Sequence, residues 1–256
     1  MTTEQEQFQQ KHLMLAIPAY TGQVHMGTMR SIIADMLLIT DAGHKLTIND
    51  DCGNAMIADC RAKICADFLA SDCTDLIFID SDVMWEKGAL LKLLLAPVDF
   101  VAAVYPQRKD PINFCVRYLP DRKELRWDEE THLLEVDGVP AGCMRLSRAM
   151  LEKMIAAYPE TEFLCEGTPL KKAWDIFGSY WEGKLKFGED YSFCQRWRKL
   201  GGQIWVDPYI EMGHCGFKTF FGSLGRWLRD RPETAAAIQQ TQLDELTQAV
   251  EKLEGA

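Results

Sequence analysis

A chain of 256 residues can bury a substantial core, and its 47% hydrophobic and 26% charged content is that of a folding globular protein rather than a disordered one. A net charge of -10 gives no general attraction to nucleic acid or anionic lipid, so binding to either would need a local basic patch. Nine cysteines, odd in number and without a CxxC pair, argue for free thiols in a reducing compartment and against a disulfide framework or a zinc site.

The chain opens on a polar, acidic stretch, Met1 to Gln7, unlike the basic and then apolar start of a secretory signal. No segment approaches the roughly 20 apolar residues of a membrane-spanning helix, and a cytoplasmic location is expected. Residues 13–17 (Leu-Met-Leu-Ala-Ile) form a continuous apolar run that stops at Pro18, the pattern of a fully buried strand feeding a loop. A helical segment follows over residues 27–38, then an alternating strand over 45–49. Between residues 54 and 71 the apolar positions Met56, Ile57, Cys60, Ile64, Phe68 and Leu69 recur at helical spacing. That helix leads into a second buried strand over residues 75–79, closed by Asp80-Ser81-Asp82.

Residues 90–95 read as a helix and 99–105 as a strand ending at Pro106. The stretch from 107 to 140 is more polar, with 125–128 and 133–136 as hairpin strands. Residues 142–146 pass from strand to helix with Ser147 as N-cap. A helix is expected from about Glu189 to Leu200 before Gly201-Gly202, and a strand over 204–208. Residues 233–254 carry Leu243, Leu246, Val250 and Leu253 at helical spacing, a helix that either packs on its own domain or pairs two chains into a homodimer.

Strands alternating with helices imply a mostly parallel sheet covered by helices on both faces, an α/β fold whose ligands sit at the carboxyl ends of its strands. Pro18-Ala19-Tyr20 and Asp80-Ser81-Asp82 both fall at such ends. In extended chain, carboxylates two residues apart face the same side, and paired oxygen anions suit Mg²⁺ or Mn²⁺ completed by substrate phosphates. The competing explanation is that Asp80, Ser81 and Asp82 are ordinary turn and cap residues. Glu189 and Asp190 offer a general base, or simply complement the positive end of their helix. His214, between Gly213 and Cys215, is either a metal ligand or a structural histidine.

The order of these pieces resembles small GT-A glycosyltransferases near family 2, of bacterial or phage type. Pro18-Ala19-Tyr20, Arg61, Asp80-Ser81-Asp82, Gly142, Glu189-Asp190 and His214 carry the likeness, which spans roughly residues 13–222. It implies a GT-A domain over 1–225 and a C-terminal helical extension over 226–256. It further implies that Pro18, Ala19 and Tyr20 border the nucleotide base of a nucleotide-sugar donor, a UDP-sugar being favoured, and that Arg61 approaches the nucleotide. Asp80 would hold ribose or a metal-bound water, Asp82 and His214 would ligate Mn²⁺ or Mg²⁺, and Ser81, Gly142 and Lys218 would lie against the donor. Asp190, or else Glu189, would deprotonate an acceptor hydroxyl on a glycan or, in a phage, on a modified nucleobase.

The sequence departs from the family's pattern in two places. Arg61-Ala62 stands where Arg-Asn is common, and Cys143 where threonine or glycine is common. Two other classes share features. A haloacid-dehalogenase-like phosphatase would use Asp80 as nucleophile, but Met84 stands where its motif has threonine. A catalytically silent nucleotide-sugar-binding module would bind without transfer. Trp174, Tyr180 and Trp181 are candidate sugar-stacking rings or core residues, and Arg226 to Arg229 with Arg231 is the basic cluster a nucleic-acid acceptor would need.

Overall fold

The first apolar run forms strand β1 (His12–Ala19), seven of whose eight residues are buried. A strand covered on both faces has no polar alternation to show, which is why it reads as a continuous hydrophobic stretch. The structure is a computed structural model and describes residues 9–119 and 125–230. After β1 come α1 (Met26–Asp41), β2 (Lys45–Cys52), α2 (Ile57–Ala70), β3 (Asp75–Ile79), β4 (Val83–Trp85), α3 (Ala89–Leu95) and β5 (Phe100–Ala102). The middle of the chain gives β6 (Arg126–Trp127), β7 (Leu134–Val136), β8 (Cys143–Ser147), α4 (Arg148–Ala157), β9 (Glu162–Leu164) and β10 (Lys172–Trp174). The last described part holds β11 (Tyr180–Glu182), β12 (Leu185–Phe187), α5 (Glu189–Lys199), β13 (Ile204–Val206), β14 (Met212–His214), β15 (Phe220–Gly222) and α6 (Leu224–Asp230).

Eight strands form the central sheet in the order β2-β1-β3-β8-β5-β13-β7-β6. Strands β2, β1, β3, β5, β13 and β6 share one direction, while β8 and β7 run against their neighbours. The mostly parallel α/β architecture expected from the sequence is therefore present, with two reversed strands that the sequence pattern did not reveal.

The period-two alternation divides the core. In β1 and β3, Leu13, Leu15, Ile77 and Ile79 point into a cluster with Ile32 and Ile39 of α1 and Leu90 and Leu94 of α3. Met14, Ala16, Leu76 and Phe78 point the other way, into a cluster with Phe68 of α2, Met150 of α4 and Phe193 of α5. Aromatic packing tightens that second layer, with Phe177 stacked on Phe193 at 4.4 Å between ring centres and meeting Phe78 edge-on.

Some expectations shift in detail. Strand β1 continues through Pro18 instead of stopping there, because β3 pairs with β1 only as far as Ala16 and Phe78. Pro18 thus stands past the last rung on that side, where no N–H is asked for. The predicted hairpin forms as β6 and β7, and its β7 strand joins the main sheet beside β13. Ser147 caps α4 as expected, its hydroxyl accepting from Met150 N–H. All nine cysteines are free thiols. Among the described residues no helix is long and apolar enough to cross a membrane. The predicted helix over 233–254, and with it the homodimer reading, lies outside the described residues.

Candidate functional site

Strand β3 ends at Ile79, and the chain turns at once: Val83 N–H donates to the Asp80 carbonyl at 3.3 Å. This corrects the expectation, drawn from extended backbone, that Asp80 and Asp82 face one side together. The turn sends Asp80 back over the sheet edge to Arg61 and Tyr105, and Asp82 outward to Arg108 and His214. The Ser81 carbonyl accepts from His25 N–H at 2.8 Å and from the Thr28 hydroxyl at 3.2 Å, which fastens the turn to the start of α1.

His214 arrives from a second, three-stranded sheet, β15-β14-β4, in which His214 pairs with Val83. Cys215 N–H donates to the Asp82 carbonyl at 2.8 Å, so the histidine is fixed beside the acid. Its Nε2 lies 3.8 Å from Asp82 Oδ1, and its Nδ1 lies 3.0 Å from the Pro106 carbonyl. A carbonyl only accepts, so Nδ1 carries the proton and Nε2 keeps a lone pair toward Asp82. Burial pushes the pKa of His214 down, which favours the neutral ring that metal ligation requires.

Arg61 of α2 is 3% exposed. Its guanidinium reaches Asp190 Oδ1 at 2.6 Å, Glu189 Oε1 at 3.2 Å and Asp80 Oδ1 at 3.4 Å. Arg61, expected to approach the nucleotide, lies among the acids and pairs with all three. Burial alone would lower its pKa, but Asp190, Asp80 and Glu189 outweigh that and hold it above its ordinary value. The two acids of α5 stand in the helix's first turn, where no side chain caps Gly188 and the uncapped amides favour negative charge. Even so, burial raises the pKa of Asp190 from 3.8 to about 6; Arg61 opposes the rise, and Glu189 and Asp80 add to it.

Two residues at this site were missed by sequence reasoning. Tyr105 donates its hydroxyl to Asp80 Oδ2 at 2.9 Å, and its ring meets His214 edge-on at 4.8 Å. Burial, with the acids nearby, holds the Tyr105 pKa well above 10, so it stays a donor. The signal was available, since Tyr105 precedes Pro106 at a strand end as Ile17 precedes Pro18. Arg108, which pairs with Asp82, sits in an irregular polar stretch that offers no such signal.

The remaining candidates divide. Gly142 is required by space: a Cβ there would lie 2.3 Å from both Asp80 Oδ2 and the Tyr105 hydroxyl, and its carbonyl accepts from Asp80 N–H at 3.0 Å. Pro18 and Ala19 end β1 beyond its last pairing with β3, and Tyr20 after them is exposed. Lys218 is not drawn in, being ion-paired to Asp110 at 2.5 Å in an exposed loop. Trp174 is buried in the core, whereas Trp181 is 58% exposed. Arg226 pairs with Glu211 and Arg229 with Asp230, so both are partnered among the described residues.

A Mn²⁺ or Mg²⁺ ion fits Asp82 and His214: one carboxylate oxygen and one neutral imidazole nitrogen leave most of the coordination shell to substrate oxygens and water. Asp80 fits less well as a direct ligand, since Arg61 holds Oδ1 and Tyr105 holds Oδ2. Arg108 would have to leave Asp82 for the ion to enter.

No family model matches the chain, and no curated protein matches it. Among solved structures the chain is similar to A197 from STIV, with 19% identity over 83% of this chain and 91% of that one and a TM-score of 0.48.

Proposed function

We propose that the chain is a metal-dependent GT-A glycosyltransferase that moves a sugar from a nucleotide diphosphate, UDP favoured, to an acceptor hydroxyl. The observation that carries this reading is one edge of the sheet with two chemically different halves. On one side Asp82 and a neutral His214 offer a cation-binding pair. On the other, Asp190 is a half-buried carboxyl with a pKa of about 6, held by an arginine.

Asp82 and His214 would hold the divalent ion, which when bound supplies Lewis-acid neutralisation of the departing diphosphate. Pro18, Ala19 and Tyr20 would border the base. Asp190 is ionised at pH 7 yet more basic than an ordinary carboxylate, which suits it to take the acceptor's proton. Arg61 holds its Oδ1. Arg61 fixes Asp190 and Glu189 in orientation, and Tyr105 does the same for Asp80. The phosphatase alternative asks Asp80 to attack phosphorus, but both of its oxygens are engaged.

The test is calorimetric titration with UDP, GDP and their sugars, with and without Mn²⁺. Metal-dependent binding of one nucleotide, lost in Asp82→Ala and kept in Asp190→Asn, is expected. Absence of binding to all of them by folded protein would overturn the reading.

A further inference from the structure

We propose that the amino end of the sheet binds a zinc-class metal ion through His12, Asp72 and Cys73, independently of the candidate active site. His12 opens β1, Asp72 and Cys73 lie in the turn between α2 and β3, and Thr47 of β2 stands beside them. These strands run parallel, so the cluster is at the end opposite Asp80 and Asp82, about 20 Å away along β1 at the usual rise per residue. One ligand atom from each of the three side chains lies within 4.8 Å of the other two.

The donor atoms of the cluster converge on one point. His12 Nε2 is 2.8 Å from the Thr47 hydroxyl, and when it donates there Nδ1 keeps a lone pair. That Nδ1 is buried, makes no hydrogen bond, and lies 3.1 Å from Asp72 Oδ1. In that tautomer both atoms offer lone pairs to a cation; in the other, Nδ1–H faces Asp72 and Nε2 accepts from the Thr47 hydroxyl. The adjacent Cys73 sulfur makes a third donor, and a metal ion can use all three together.

The donor set selects the ion. Thiolate, imidazole and carboxylate suit Zn²⁺ and not Mg²⁺ or Ca²⁺. Even at the full 4.8 Å spacing, the centre of the triangle lies about 2.8 Å from each donor, so side-chain shifts of about half an ångström reach zinc bond lengths of about 2.0–2.3 Å. Cys73 is buried and Asp72 is 80% exposed, so the fourth position faces solvent and takes water. Binding requires the Cys73 thiol to give its proton to solvent. Burial raises the pKa of this thiol in the metal-free protein, and coordination to zinc reverses that preference. The bound ion would tie the α2–β3 turn to the first strand of the sheet.

Co²⁺ is the probe, since a thiolate ligand gives it an intense charge-transfer band in the near ultraviolet. The full chain should bind one equivalent with that band, and Zn²⁺ should displace it. Cys73→Ser should abolish the band, and His12→Ala should weaken Zn²⁺ binding by more than about 100-fold, the upper end of what loss of a mere outer-shell partner costs. Asp82→Ala should keep the band, which separates this site from the one at the other edge. No band in the wild-type protein, or a band that survives Cys73→Ser in protein folded by circular dichroism, would overturn the proposal.

Discussion

Replacing Asp190 with asparagine should stabilise the protein at neutral pH while removing the proposed general base. The carboxyl of Asp190 has its pKa raised from 3.8 to about 6, chiefly by burial. Because the folded value lies above the unfolded one, the folded state binds the proton more tightly, and stability falls as pH climbs from about 4 through 6. At about 1.36 kcal/mol per pKa step, the interval corresponds to roughly 3 kcal/mol at full ionisation. Neighbouring acids share the effect, and the residual exposure of the site reduces it, so about 2 kcal/mol is the working figure. Asparagine stays neutral at all pH and avoids that cost. For a chain of this size the gain is a rise in Tm of roughly 4–8 °C at pH 7.5, shrinking toward zero near pH 4. Differential scanning calorimetry of both proteins across pH 4–8 reads this directly. Parallel Tm curves, with no divergence as pH rises, would refute the assignment of a costly, partly desolvated carboxylate at this position.

Three further outcomes follow from particular contacts. Asp35 is fully buried and accepts from Trp85 Nε1 at 3.1 Å, Gly88 N–H at 2.5 Å and Leu90 N–H at 2.7 Å, so it caps α3 from the neighbouring helix. Asp35→Ala orphans three donors and should cost about 3–5 kcal/mol in urea unfolding; a loss under about 1 kcal/mol would mean that water replaces the cap. Gly142→Ala drives a methyl into Asp80 and Tyr105 and should weaken metal-dependent nucleotide binding roughly 100-fold with the fold intact, and unchanged affinity by titration would show that the turn relaxes freely. Arg108→Gln removes the partner of Asp82, both being more than a third exposed. An exposed ion pair is worth up to about 1 kcal/mol, so Mn²⁺ affinity without nucleotide should rise by up to roughly fivefold, and weaker binding would mean that Arg108 assists the ion.

The parts of this molecule that were legible in the sequence are those governed by local pattern. Leu13 to Ile17 and Leu76 to Ile79 announce buried strands because both of their faces are covered, and Ser147 announces a helix start because its hydroxyl completes the first turn. Asp80, Asp82, Glu189, Asp190 and His214 could be singled out because strand ends and helix starts are where side chains of this chemistry gather. What the local pattern withholds is direction. Nothing in Cys143 to Ser147 says that this strand runs against β3 and β5, since burial on both faces erases the periodicity that would distinguish the cases.

The same blindness explains the site's departures from expectation. The pairing of Met212 to His214 with Val83 to Trp85 joins segments some 130 residues apart, and only that pairing brings His214 to Asp82. Arg61 reads as a nucleotide contact on an amphipathic helix, and only the folded chain brings Asp80, Glu189 and Asp190 over it. A buried arginine among three acids then forms a unit: removing its charge would leave carboxylates packed together without compensation, and removing an acid relieves the crowding. The arrangement costs stability at one sheet edge and leaves a carboxyl of raised pKa there, the trade that the proposed general-base role would require.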